Sequence, residues 1–246
     1  MKTTNGNTHE DNVNNLGVFI TRATNFGSAY NPPRPQLTIQ GLTQLKVLGK
    51  SAIDLVDSYE ISYKNAIAAR NAAFNGFDFR VTRVINSLRI SRSTDQTLVQ
   101  AEAMVRELRG KRVSEILTDA EIAAEKAKGN TVKQVTLHNS RIDRKIENFA
   151  RFVLFLATIP EYKPNEVDLT IEALTAEVEN LKALNQAIVT TFSSLGTARM
   201  ARDKALYAGD TGLVPNALDA KSYVKSVFGA TSPEYKQIRD ILFVKR

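Results

Sequence analysis

Residues 167–207 read VDLTIEALTAEVENLKALNQAIVTTFSSLGTARMARDKALY. Val167, Ile171, Leu174, Val178, Leu181, Ile188, Phe192, Leu195 and Leu206 recur there at steps that fit one seam, the spacing that places side chains on one face of an α-helix. Asn185, Arg199 and Arg202 fall on the same seam. A helix of about 40 residues is about 60 Å long at 1.5 Å per residue. The segment therefore predicts an elongated, all-α molecule.

The pattern continues on both sides. Upstream, Pro160 and Pro164 punctuate a loop. Before it, Val132, Val135, Ile142, Ile146, Phe149, Val153 and Leu156 predict a helix over 131–158 with bundle-seam spacing. Near the start, Leu42, Leu45, Leu48, Ala52, Leu55, Val56, Tyr59, Tyr63, Ile67 and Phe74 predict a helix over 37–75, with Gly76 as its C-cap. A shorter helix follows over 79–90, with Val81, Val84, Ile85 and Leu88 on one face. Ser93-Thr94-Asp95 offers an N-cap for a helix over 95–128 carrying Leu98, Val105, Leu108, Ile116 and Ala120. Beyond Gly209 and Gly212, a short helix over 217–227 and a last turn from Ser232 complete the chain.

Two of the long helices begin alike. Leu37-Thr38-Ile39-Gln40-Gly41-Leu42-Thr43 matches Leu169-Thr170-Ile171-Glu172-Ala173-Leu174-Thr175. Ala69-Arg70-Asn71 matches Ala201-Arg202-Asp203 at the far ends, and Val84-Ile85-Asn86-Ser87 aligns with Tyr223-Val224-Lys225-Ser226. Three matches in one order indicate a duplicated unit. The organisation expected is an N-terminal arm, 1–36, and a duplicated helical bundle, 37–246. Its halves, 37–128 and 167–246, are joined by the helix over 131–158. About four long helices and short capping helices make the bundle. The arm holds seven Asn and ends in Asn31-Pro32-Pro33-Arg34-Pro35, which disfavours helix. Within it Leu16-Gly17-Val18-Phe19-Ile20-Thr21 is apolar and β-prone, as is Ile241-Leu242-Phe243-Val244 at the other end. Val18, Phe19, Ile20, Leu242, Phe243 and Val244 are thus candidate assembly contacts. Either the ends pair with each other, or one adds to a neighbouring molecule, or a loose arm and a short packed tail is all they form.

Composition excludes some chemistry. The chain has 246 residues, no Cys and no Trp. Without Cys there is no disulfide, thiolate metal site or cysteine nucleophile. No apolar run approaches the ~18–20 residues that span a bilayer; the longest is Phe152–Ile159, broken by Thr158. Lys2 is followed by polar residues, which does not read as a signal peptide. The expectation is a cytoplasmic protein without a membrane span. Net charge is +7 and the pI is about 9.5, which permits an acidic partner.

The C-terminal half resembles an uncharacterised all-helical family of hypothetical proteins common in Bacteroidetes. The carrying residues are Tyr162-Lys163-Pro164-Asn165-Glu166, Ala198-Arg199, Arg202-Asp203, Leu206-Tyr207, Gly212-Leu213-Val214, Lys221-Ser222-Tyr223-Val224-Lys225-Ser226-Val227-Phe228-Gly229 and Ser232-Pro233-Glu234-Tyr235-Lys236-Gln237-Ile238. The run from Lys221 to Ile238 is specific. The likeness spans most of 130–246. It implies a helical fold, and it brings no activity and no catalytic residue.

The residues themselves offer little chemistry. His9 lies in the arm, and His138 has no second His or carboxylate four positions on, so no metal or triad geometry is expected. Asp210-Thr211-Gly212 ends a helix and reads as a turn. Glu121 with Glu125, and Glu177 with Glu179, read as solvated helix faces. No catalytic residue, metal or cofactor is assigned. Arg70 and Arg202 occupy equivalent repeat positions; with Asn71, Asn185, Arg199 and Asp203 they form a candidate polar layer in the seam, where a buried charge needs a partner. The alternative is an anion-binding arginine pair. Basic segments 79–94 and 221–246 carry Arg80, Arg83, Arg89, Arg92, Lys221 and Lys225, candidates for anion or nucleic-acid contacts, although a solvated or salt-bridged surface is the favoured reading of them.

The leading expectation is a non-enzymatic structural or protein-interaction bundle, with a protein partner or itself as ligand. Self-assembly through arm and tail is one form of it. A nucleic-acid-associated protein is the alternative, and a membrane-active helical toxin using Phe152–Leu156 the third.

Overall fold

The computed structural model describes residues 8–110 and 142–245. Those residues are all-α, as the periodicity predicts, and contain no strand. The helices are α1 (His9–Thr24), α2 (Ile39–Ala73), α3 (Phe77–Ile90), α4 (Asp95–Leu108), α5 (Ile142–Ala157), α6 (Ile171–Tyr207), α7 (Leu213–Phe228) and α8 (Pro233–Ile238). The expected ends of the third and fourth helices, with Ile116, Ala120, Val132, Val135, His138, Glu121 and Glu125, lie outside the described residues.

The chain divides into two compact units. Unit 1 holds residues 1–65 and 189–246, and unit 2 holds residues 66–188. In unit 1, α1 packs on α7 and α8. Its core gathers Val13, Leu16 and Phe19 of α1, Leu42 and Ile53 of α2, Leu206 of α6, and Leu213, Ala217 and Val224 of α7. In unit 2, α4 packs on α5 and α3. Its core gathers Val81, Val84 and Leu88 of α3, Val105 and Leu108 of α4, Phe149 and Phe152 of α5, and Leu174, Val178 and Leu181 of α6. Phe77 meets Phe149 edge-on at 5.0 Å, a favoured aromatic geometry.

The N-terminal segment is not an extended arm. Residues 9–24 form α1, opened by a capping box in which Thr8 and Asp11 bond each other's backbone amides. The Leu16–Thr21 run looks β-prone alone. Taken with its flanks, however, Val13, Leu16, Phe19 and Ala23 recur at steps of three, three and four, and all four are at most 1% exposed. Helical spacing over sixteen residues outweighs the propensity of six.

The duplication also begins earlier than Leu37. Val13, Leu16, Phe19 and Ala23 of α1 stand 133 residues before Ile146, Phe149, Phe152 and Leu156 of α5, and all eight are buried. Thus α5 is the first helix of the second copy, where a connecting helix over 131–158 was expected. Each copy then places a tyrosine whose hydroxyl donates to a leucine carbonyl seven residues on: Tyr30 to Leu37 at 2.6 Å, and Tyr162 to Leu169 at 2.8 Å. The two leucines end 3-10 turns, Pro35–Leu37 and Val167–Leu169. Thr38 and Thr170 follow with their hydroxyls accepting from Gly41 and Ala173 at 3.1 and 3.2 Å. The later alignment shifts by one turn: Phe77, Val81, Val84 and Leu88 of α3 correspond to Leu213, Ala217, Ala220 and Val224 of α7, all buried. Matching Val84 to Tyr223 by letter missed this, because burial follows helix phase from the start of each helix.

Each unit therefore combines the beginning of one copy with the end of the other. Unit 1 takes α1 and the start of α2 from the first copy, and the end of α6 with α7 and α8 from the second. Unit 2 takes α5 and the start of α6 from the second, and the end of α2 with α3 and α4 from the first.

Burial raises the pKa of both tyrosines, that of Tyr162 to about 12. The unfolded chain ionises its phenols first, near the ordinary value of 10, so stability is complete below that pH and falls as pH rises past it. In an alkaline absorbance titration two of the seven tyrosines should ionise only as helicity is lost. Titration of all seven near pH 10 in a fully helical protein would contradict these contacts. Tyr162→Phe should cost about 1–3 kcal/mol in urea unfolding, the penalty for stranding a buried carbonyl.

Candidate interaction surface

The basic segment 79–94 is largely neutralised within unit 2. Arg80 meets Glu177 at 2.5 Å and caps α2 by donating to the Ala73 carbonyl at 3.1 Å. Arg83 forms a bidentate pair with Asp168, and that hydrogen bond is the main reason the Asp168 carboxyl is held below its usual range. Arg89 meets Glu102 at 2.7 Å and Asn86 at 2.9 Å. Arg92 is exposed and holds a positive φ of 62°. Glu177 is therefore an ion-pair partner with 18% side-chain exposure, where a solvated face was expected; Glu179 does lie on such a face, beside Lys182. Asp168 and Glu177 stand 85 and 97 residues beyond Arg83 and Arg80, so no local pattern announces them.

The second basic segment holds the tail. Lys221 donates to the Arg239 and Ile241 carbonyls at 2.9 and 2.7 Å, and burial lowers its pKa. Lys225 lies over the Tyr235 ring, 5.9 Å from its centre, a cation–π distance.

The polar residues of the seam separate between the units. In unit 2 Arg70 donates to Asn185 at 3.2 Å, and Asn185 donates to Asp143 at 2.9 Å. Asp143 is the member that the sequence did not reveal. In unit 1 Arg202 bonds the adjacent Asp203 through two nitrogens, at 3.0 and 2.7 Å. Asn71 and Arg199 are exposed. The two repeat-related arginines thus belong to different units and have different partners.

The two chain ends meet each other, by a route other than strand pairing. Phe19 is buried in the unit 1 core, with Val18 and Ile20 packed beside it. Asn12 donates to the Val244 carbonyl at 3.1 Å and accepts from the Val244 amide at 3.0 Å. Asn15 donates to the Leu242 carbonyl at 2.9 Å. Phe243 packs on the same core, and the Leu242 side chain is 52% exposed.

The apolar stripes of the long helices are wider than their buried faces. Leu48 and Leu55 of α2 and Phe192 of α6, all placed on the seam by spacing, are 60%, 46% and 59% exposed. In unit 1 the buried face of α2 is Leu42, Gly49, Ile53 and Val56, and that of α6 is Leu195, Ala198 and Leu206. The outward faces carry a second stripe. On α2 it is Leu48, Ser51, Leu55 and Ser58, at steps of three, four and three. On α6 it is Val189, Ser193, Gly196 and Met200, at steps of four, three and four. Val189 and Met200 are 56% and 68% exposed. A Cβ built on Gly196 would meet nothing within 4 Å. Between the helices runs a shallow groove lined by Leu55, Tyr59, Ser193, Thr197 and Ala201, and Phe192 closes on Tyr63 at 5.5 Å. Large and small residues alternate along the α2 stripe, and on α6 Val189 and Met200 flank the small pair Ser193 and Gly196, a relief into which a further helix packs.

Among the described residues no cluster of three or more His, Asp or Glu could hold a metal ion, and no helix is long and apolar enough to cross a membrane. No protein-family model matches the chain, and no curated protein or solved structure gives a significant match.

Proposed function

We propose that the protein is a non-enzymatic interaction module that associates with a second copy of itself through the outward faces of α2 and α6 in unit 1. The observation that carries this reading is Gly196. A glycine inside a long helix costs about 1 kcal/mol relative to alanine, and here it lies in open space at the centre of an exposed apolar stripe. Among the described residues nothing uses its missing side chain, whereas a partner helix would use the close approach. Self-association through α1 and the tail draws less support, because Phe19 and the tail backbone are engaged within unit 1. Nucleic-acid binding loses three of its four segment arginines to Glu177, Asp168 and Glu102. The toxin reading relied on the run Phe152–Leu156, of which Phe152, Val153 and Leu156 are core residues, Phe155 is partly buried against that core, and Leu154 alone is largely exposed.

Light scattering on the eluted protein tests this reading. A dimer is expected at micromolar concentration, persisting at 1 M salt because apolar contact is not screened. The double variant Phe192→Glu/Met200→Glu should be a folded monomer. Gly196→Leu separates the two roles of that position: it should raise the thermal midpoint, through helix propensity, while weakening association at least tenfold. A wild-type monomer up to ~100 µM would overturn the proposal.

A further inference from the structure

The copies differ in how they cover their first helix. In unit 2, α5 is covered by α4, a helix of 14 residues. In unit 1 the corresponding helix, α8, is cut to six residues, and a turn at 239–240 followed by a segment with neither helix nor strand, 241–245, continues in its place. Side chains of unit 1 read the backbone of that segment. Lys221 takes the carbonyls of Arg239 and Ile241, Asn15 that of Leu242, and Asn12 both the amide and the carbonyl of Val244. A primary amide carries donor and acceptor together, so Asn12 pairs with one residue as a neighbouring strand would. Asn12 and Asn15 are 3% and 7% exposed beneath the tail. Their counterparts 133 residues on are Lys145 and Asn148, so the paired amides belong to unit 1 alone. Two apolar anchors complete the fit: Ile241 is fully buried, and Phe243 packs against the same core.

We infer that the groove between α1 and α7 is a binding site for an extended peptide, read mainly through its backbone, which the C-terminal tail fills as an intramolecular ligand. The partner it fits is an extended segment with a branched apolar residue two positions before an aromatic one. The sequence demand is confined to those two anchors, since every polar contact is to main chain. A competing peptide gains access when the tail leaves. This inference is independent of the α2–α6 face.

The test uses the full chain and a fluorescent peptide of sequence RDILFVKR, residues 239–246. Ile241→Asp releases the tail, and the variant should bind the peptide at least tenfold more tightly than wild type, whose groove is occupied. Adding Asn12→Ala and Asn15→Ala should remove that gain, and a peptide carrying Asp in place of the isoleucine should not bind. Circular dichroism confirms that each variant keeps its helicity. If Ile241→Asp does not fold, Phe243→Asp, at the half-buried anchor, is measured in the same way. A folded, tail-released variant that binds the peptide no better than wild type overturns the inference. So does binding that is indifferent to both asparagines.

Discussion

Phe19→Ala is expected to lower the unfolding free energy by about 3–5 kcal/mol, the range for removing a large side chain from a packed core. Phe19 is fully buried, and its ring meets Tyr30 edge-on at 6.4 Å. Loss of the ring takes away apolar burial and leaves a cavity beside a tyrosine that must keep its hydroxyl aimed at the Leu37 carbonyl. Phe152→Ala, the corresponding change in unit 2, should cost a similar amount, because Phe152 is also fully buried. A domain's whole margin is about 5–15 kcal/mol, so either variant should shift the urea midpoint strongly. A cost below ~1 kcal/mol for Phe19→Ala would mean that α1 is peripheral, and the arm reading would return.

Gly49→Leu should be as damaging, for the opposite reason. Gly49 is buried where α2 passes α1, α6 and α7. A Cβ there would stand 2.9 Å from Leu213 Cδ1, 3.1 Å from Leu206 Cδ2 and 3.3 Å from Val13 Cγ2. A full leucine side chain has no room, and overpacking of this severity costs about 3 kcal/mol. The corresponding residue in the other copy is Leu181, which is fully buried in unit 2, so the duplicated cores have diverged in volume at this position. Gly49→Ala should be close to neutral, since the nearest atoms are ends of flexible side chains and the helix gains about 1 kcal/mol. Thermal unfolding of the two variants gives the comparison. Equal, small effects from both would show that unit 1 is looser here than the distances imply.

The long helices and the duplication were legible because both are written in spacing. Leu174, Val178 and Leu181 repeat at steps of four and three, and Leu37-Thr38-Ile39 and Leu169-Thr170-Ile171 open two helices with the same turn. What spacing does not carry is which residues at a helix face are covered. Leu48, Leu55 and Phe192 satisfy the periodicity and are nonetheless outside, because part of α2 and α6 has apolar residues on both sides. Composition misled at the N-terminus. Seven asparagines suggested an arm, yet Asn12 and Asn15 are among the buried polar residues of α1, satisfied by a backbone more than 220 residues away. The candidate cations were found by charge alone, and their partners were not. Asp143, Asp168 and Glu177 become neighbours of Asn185, Arg83 and Arg80 only after the helices pack.

Each compact unit needs elements from both copies, and separately produced halves test that most directly. Residues 1–140 and 141–246 should each lack a cooperative unfolding transition alone, since neither contains a complete core. Mixed in equal amounts, they should form a one-to-one helical complex that unfolds cooperatively. A half that folds cooperatively on its own would contradict the reciprocal construction of the two units.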